Sequence, residues 1–210
     1  MSHKSAAARG QLFVVSAPSG AGKTSLVNAL LQRRPQLRVS ISHTTRKPRP
    51  SEAEGREYFF VSVGDFQALI AQQAFLEHAQ VFDNHYGTGR APVETHLAAG
   101  RSVVLEIDWQ GARQVRKSLP ECVTIFILPP SRRALEERLR VRRTDSDEVI
   151  ARRLRDAVGD MSHANEFDYV VVNDNFERAL ADLTHIVDGQ GAALKADRPE
   201  LRALLTDLLG

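Results

Sequence analysis

Short apolar runs separated by polar stretches of helical period set the rhythm of this chain. Gln11-Leu12-Phe13-Val14-Val15-Ser16 is the first run, and a turn rich in Pro, Ser and Gly follows it at 17–22. Leu26, Val27, Leu30 and Leu31 then recur at helical spacing until Pro35 closes the segment. Comparable runs return at Val103-Val104-Leu105-Glu106-Ile107-Asp108, Cys122-Val123-Thr124-Ile125-Phe126-Ile127-Leu128 and Tyr169-Val170-Val171-Val172. Near-continuous β-branched runs alternating with helices predict an α/β fold whose mainly parallel sheet is flanked by helices on both faces.

Two stretches break that rhythm. Residues 39–90 contain Val39-Ser40-Ile41-Ser42, Tyr58-Phe59-Phe60-Val61 and Tyr86-Gly87-Thr88 among many turn residues. They predict a small, partly antiparallel insertion with one helix near 64–72. Residues 131–157 carry Arg132, Arg133, Arg138, Arg140, Arg142, Arg143, Arg152, Arg153 and Arg155, and Asp145-x-x-Glu148 there reads as a capping box. Beyond the tail at 1–10 and the main domain at 11–188, Leu201, Leu204, Leu205 and Leu208 give 189–210 the stripe of an amphipathic helix. On base rates that helix docks on its own domain, and the sequence leaves the oligomeric state open.

Composition narrows the function classes. The 210 residues are 42% hydrophobic and 26% charged, an ordinary globular balance. Lys+Arg 28 against Asp+Glu 26 gives a net charge of +2, and with 6% aromatics this argues against a generic nucleic-acid binder. No apolar run approaches the roughly 20 residues that cross a bilayer, and residues 1–10 lack the apolar core of a secretory signal. The single cysteine, Cys122, cannot close an intramolecular disulfide and reads as a buried strand residue. The expectation is a cytoplasmic protein without a membrane or nucleic-acid partner.

Chemistry concentrates first in Ala17-Pro18-Ser19-Gly20-Ala21-Gly22-Lys23-Thr24, a P-loop with Ala17 where the usual pattern has Gly. Such a loop must turn backbone N–H groups inward around phosphate oxygens, which glycines permit by tolerating unusual dihedrals. The following helix adds its positive end. Lys23 offers a mobile charge for the β- and γ-phosphates, and the Thr24 hydroxyl is suited to Mg²⁺. The acidic strand end at Glu106 and Asp108 falls where doubly wound folds bind ligands. His43, His78, His85, His96, His163 and His185 show no metal-ligand spacing, and Trp109 reads as packing.

From about Gln11 to Asp188 the chain resembles guanylate kinases. The resemblance rests on Ser-Ala-Pro-Ser-Gly-Ala-Gly-Lys-Thr at 16–24, Ser-His-Thr-Thr-Arg-Lys-Pro-Arg-Pro at 42–50 and Gly-Arg-Glu-Tyr-Phe-Phe-Val at 55–61. It continues in Phe-Leu-Glu-His-Ala at 75–79, Tyr-Gly-Thr at 86–88, Glu-Ile-Asp-Trp-Gln-Gly at 106–111, Ile-Phe-Ile-Leu-Pro-Pro at 125–130 and Val-Asn-Asp at 172–174. It implies transfer of the γ-phosphoryl group of MgATP to GMP or dGMP, in purine nucleotide metabolism.

By resemblance, Ser19, Gly20, Ala21, Gly22, Lys23, Thr24 and Ser25 hold ATP, with Asn173 and Asp174 near the adenine. Arg46, Arg49 and Tyr58 hold the GMP phosphate, with Ser42 and Tyr86 nearby and Asp108 assigned to the same substrate. Two guanidinium groups and a phenol suit a dianion, because Arg makes fork-shaped charge-assisted bonds. Glu77 and Thr88 match the guanine-reading residues: two carboxylate oxygens meet N1–H and N2–H, and a hydroxyl serves O6. On its own, Glu77 would read as an exposed helix residue. The arginine-rich segment at 131–157 corresponds to the family's lid, with Arg138, Arg142 and Arg153 as phosphate contacts and Lys23 and Arg46 completing the catalytic cations. The remaining arginines read as a solvated, acid-paired face. Glu106 stands where Asp is usual and Arg143 where Gly is common. Guanylate-kinase-like scaffold modules that bind phosphopeptides are the first alternative, opposed by the intact loop. Sugar-phosphate kinases are the second, opposed by the base-reading pair.

Overall fold

The computed structural model describes residues 9–81, 83–141 and 146–210. Its elements run β1 (Leu12–Ser16), α1 (Lys23–Arg33), β2 (Arg38–Val39), β3 (Ser42–Thr44), β4 (Tyr58–Phe60), α2 (Val63–Ala71), β5 (Phe75–Val81), β6 (Asn84–Gly89) and α3 (Arg90–Ala98). There follow β7 (Val103–Glu106), α4 (Trp109–Ser118), β8 (Val123–Leu128), α5 (Arg132–Val141), α6 (Asp147–Met161), β9 (Tyr169–Val172), α7 (Phe176–Val187) and α8 (Glu200–Leu209). Strands order β2-β7-β1-β8-β9 in one sheet and β4-β3-β6-β5 in the other. In the first, β2–β7 and β8–β9 pair in parallel, with the buried β-branched runs in β7, β8 and β9 and not in the exposed β2.

The chain divides into two compact units, one comprising Pro35–Leu105, Gln110–Cys122 and the segment ending at Phe13, the other Val14–Arg34, Glu106–Trp109 and Val123–Gly210. In the first unit, β3 pairs β4 in parallel and β6 antiparallel, and β5 pairs β6 antiparallel. This is the partly antiparallel insertion read from the sequence, with α2 near its expected place. Ser62 caps α2 by accepting a hydrogen bond from the Asp65 N–H, a contact generally worth about 1 kcal/mol. Phe66 of α2 is fully buried against Phe75 and His85.

In the second unit, α7 packs on α1 and β9, α5 on α6, and α6 on α8. Ser146 caps α6 through the Val149 N–H, so the cap observed is Ser146, whereas Asp145 of the expected box lies outside the described residues. Leu201, Leu205 and Leu208 are buried, so the leucine stripe docks within its own unit. Its helix spans only Glu200–Leu209; 189–199 is a short 3-10 turn and loop rather than the continuous helix expected.

Two further readings change. The run Val39-Ser40-Ile41-Ser42 is not one strand: β2 ends at Val39 and joins the five-stranded sheet, while β3 begins at Ser42 in the other. Periodicity sees no boundary there, because what separates the strands is their pairing partner. Cys122 is buried as expected but precedes β8 instead of lying in it.

Candidate active site

The glycine-rich loop belongs to the second unit. Every residue of β1 is buried, and the chain leaves it through the 17–22 loop into α1. Gly20 and Gly22 take φ of 90° and 93°, a left-handed conformation that strains any L side chain. Gly22 is the N-cap of α1 and offers no side chain to its first turn. The first N–H groups of the helix therefore stay open to an anion. Lys23 Nζ donates to the Ile107 carbonyl at 3.2 Å, and Ser16 Oγ donates to the same oxygen at 2.8 Å. The sheet end thereby sets the lysine beside the loop. Thr24 and Ser25 are exposed in the first helical turn. The Thr24 hydroxyl is a hard oxygen donor that would suit Mg²⁺, a cation generally bound through few protein groups.

The arginine-rich helices separate into two groups. Arg153 of α6 donates to Ser19 Oγ at 2.6 Å. Arg138 of α5 donates through Nη2 to the Asn173 carbonyl at 2.8 Å, and its Nη1 is buried without a hydrogen-bond partner. An orphaned buried guanidinium donor costs free energy unless a ligand oxygen meets it. Arg133, Arg140 and Arg152 instead pair with Glu137, Glu136 and Asp156 one turn away, the solvated face anticipated for them. Arg142 and Arg143 lie outside the described residues. Asn173 is buried, and its Nδ2 donates to the Ala21 carbonyl at 2.8 Å. It supports the loop from below, a position the sequence did not suggest.

The first unit carries the other residue set, gathered by sheet register. Ser42 pairs with Tyr58, Thr44 with Tyr86 and Glu77 with Thr88. Paired residues share a face, so Ser42, Tyr58, Glu77, Tyr86 and Thr88 project from one side. A bulge between Phe75 and Glu77 makes this possible. In a regular strand Phe75 and Glu77, two positions apart, would share a face; the bulge turns Phe75 to the aromatic core beside Phe66 and His43, and Glu77 to the polar side. Glu77 is therefore a strand residue, 5% exposed, and not the exposed helix residue its sequence neighbours suggest. Thr88 Oγ1 donates to Glu77 Oε1 at 2.5 Å, and Ser42 Oγ lies 3.4 Å from Thr88 Oγ1.

Arg46 lies over the Tyr58 ring at 5.4 Å and donates to Glu52 Oε1 at 2.8 Å. Glu52 Oε2 accepts the Arg49 N–H, also at 2.8 Å. The hydrogen bond from Arg46 holds the Glu52 carboxyl below the usual range, and Glu52 raises the Arg46 guanidinium in turn. Arg49 is exposed at the tip of the loop. Glu52 is not singled out by the sequence; its signal is the first acid after the cations Arg46, Lys47 and Arg49. Thr44 was also missed: it is fully buried, donates to the His85 carbonyl and accepts the Arg46 N–H. Burial lowers the His43 pKa on the opposite face.

Asp108 belongs to the unit of the phosphate loop and not to that of Glu77. Beside it, the Trp109 ring stacks on His163 at 3.5 Å and hydrogen-bonds Asp160, so Trp109 does more than pack. Burial raises the Asp160 pKa to about 6, opposed by the Trp109 hydrogen bond and reinforced by the Asp108 charge. Among the described residues no helix is long and apolar enough to cross a membrane.

Comparison with known proteins bears on the same residues. The guanylate kinase family model matches residues 9–190. The guanylate kinase of Methylococcus capsulatus is 57% identical over 202 residues, covering 96% of this chain and 99% of that protein. That of Alkalilimnicola ehrlichii is 56% identical over 201 residues, with coverage of 96% and 99%. The crystal structure of guanylate kinase from Anaplasma phagocytophilum superposes with a TM-score of 0.72 at 33% identity, covering 94% of each chain. A family match running from the tail before β1 to beyond α7, with relatives this similar along their whole length, admits one assignment: the chain belongs to the guanylate kinase family.

Proposed function

We propose that this protein transfers the γ-phosphoryl group of MgATP to GMP or dGMP, giving ADP and GDP. The observation that carries the reading is the buried pair of Glu77 and Thr88, a carboxylate and a hydroxyl on one sheet face. Guanine presents N1–H and N2–H side by side, so a carboxylate can accept from both, while a hydroxyl can donate to O6. Adenine offers an unprotonated N1 and no 2-amino group, and would leave the carboxylate unpaired. Arg46, Arg49, Tyr58 and Tyr86 supply the charge and the phenols for the acceptor's phosphate, and Ser42 lies beside Thr88.

On the donor side, the 19–25 segment cradles the ATP phosphates and Lys23 neutralises charge on the β- and γ-oxygens. Arg138, Arg142 and Arg153 form the lid cations, and Asp108 assists GMP. The attacking phosphate of GMP is already anionic at neutral pH, so no general base is required. Positioning and charge stabilisation then account for most of the rate, and exclusion of water limits ATP hydrolysis. The Thr24 hydroxyl would hold the Mg²⁺ that accompanies ATP, which would supply charge neutralisation of the transferring group.

A coupled assay of ADP formation with GMP, dGMP, AMP and ribose phosphates tests the reading. Turnover that depends on GMP or dGMP is expected, with AMP poorer by orders of magnitude. ADP formation indifferent to the base would overturn it.

A further inference from the structure

Two of the hydrogen bonds of Asn173 run in opposite directions along one network. Its side-chain Nδ2 donates to the Ala21 carbonyl inside the phosphate loop, and its main-chain carbonyl accepts from Arg138 Nη2. The residue is 5% exposed at the end of β9, and its own N–H is held by the Leu128 carbonyl at 2.8 Å. The sheet therefore fixes the backbone from which both contacts depart.

The first contact governs which way the loop faces. A trans peptide is planar, so its C=O and N–H point in opposite directions. Pinning the Ala21 carbonyl against Asn173 turns the Gly22 N–H to the other side of that plane. Gly22 is pressed to the same amide: a Cβ at Gly22 would sit 2.5 Å from Asn173 Nδ2. The φ angles of 90° and 93° at Gly20 and Gly22 are open to glycine and closed to other residues, and the buried amide bond holds this arrangement in place. The second contact holds Arg138 by one nitrogen and leaves the buried Nη1 without a partner.

We infer that Asn173 is a positioning residue for phosphate binding: its amide sets the peptide plane between Ala21 and Gly22, and its carbonyl presents Arg138 Nη1 to a phosphate oxygen. The ligand class is the polyphosphate of a nucleoside di- or triphosphate. This rests on the assignment of the loop to ATP, and it gives Asn173 a role independent of any contact with the adenine.

Three variants of the full chain separate a donor from a packing role: Asn173→Ala, Asn173→Asp, which keeps the shape but puts an acceptor against the Ala21 carbonyl, and Asn173→Leu, which keeps volume without a donor. ADP affinity is read by calorimetry, GMP affinity separately, and turnover last. Loss of one buried hydrogen bond with its partner left unpaired predicts ADP binding weaker by about tenfold in the Ala and Leu variants, and by more in Asp. GMP affinity is expected to stay within about twofold of the parent, by the same arithmetic. Near-parent ADP binding in Asn173→Leu would show that the side chain only fills space. Equal losses for ADP and GMP would likewise overturn the inference. If Asn173→Ala fails to fold, the isosteric Asp and Leu variants decide the matter. Because ADP binding is measured without turnover, a parent that binds ADP but does not phosphorylate GMP would overturn the phosphotransfer reading and leave this inference to be judged by the variants.

Discussion

Replacing Glu77 by Gln tests base recognition with the least disturbance to the fold. The carboxylate is 5% exposed and accepts from Thr88 at 2.5 Å. Gln has the same size, and its Oε1 can keep the bond from Thr88. Its Nε2 then stands where the second carboxylate oxygen stood, a donor facing the N–H donors of guanine. At about 1.5–3 kcal/mol for each charge-assisted bond, kcat/KM for GMP should fall by about ten- to a hundredfold or more. ATP binding should change little, since no residue of the phosphate loop is touched. Preference for GMP over AMP should narrow, because AMP never used the carboxylate. The assay is coupled ADP formation with GMP and AMP varied in turn, and thermal unfolding serves as the control for folding. A folded variant with near-parent GMP efficiency and unchanged discrimination against AMP would refute the assignment.

Three further outcomes are expected. Lys23→Met should leave the fold and GMP affinity intact while lowering kcat by about a hundredfold, since a cation on the transferring phosphoryl group is lost; turnover within about threefold of the parent would contradict that role. Glu52→Gln removes the charge that orients Arg46 while keeping an acceptor for the Arg49 N–H, so KM for GMP should rise by several-fold or more with KM for ATP unchanged; a rise in the ATP constant alone would argue against it. Asp160 has a folded pKa raised to about 6, so its stabilising contribution is full below its ordinary carboxylate range and is lost as pH rises through about 6. Asn at that position keeps an acceptor for Trp109 and does not ionise, so Asp160→Asn should gain stability relative to the parent between acidic and neutral pH, measured as the urea midpoint; a pH-independent difference would remove Asp160 as the cause.

The elements that were legible in the sequence are those whose information is local. The 17–24 loop is contiguous, its glycines are required by φ at two positions, and the helix that follows shows its period within a dozen residues. The strands β1, β8 and β9 are mostly buried, and their apolar residues record that burial along most of the run. The two-residue β2 is exposed on both positions and leaves no such mark, so its sheet could not be read from its composition.

The polar face of Glu77, Thr88 and Ser42 is not local in the same way. Residue type and family resemblance pointed to Glu77, but strand, bulge and register decided that it shares a face with Thr88 and Ser42. An extra residue in β5 reverses the direction of everything after it, and no period of two survives that reversal. Pairing of charges was equally hidden: Arg46 and Glu52 lie in one loop, but only the folded loop brings the guanidinium to the carboxylate. Asn173 is the extreme case, 152 positions from Ala21, its amide bonded to the loop because β9 places it there. The buried strands β1, β8 and β9, the glycine-rich loop at 17–24 and the residue types on hand are properties of the sequence alone. Tertiary structure decided which of them meet, because hydrogen bonds and charges act over a few ångströms in space whatever their separation along the chain.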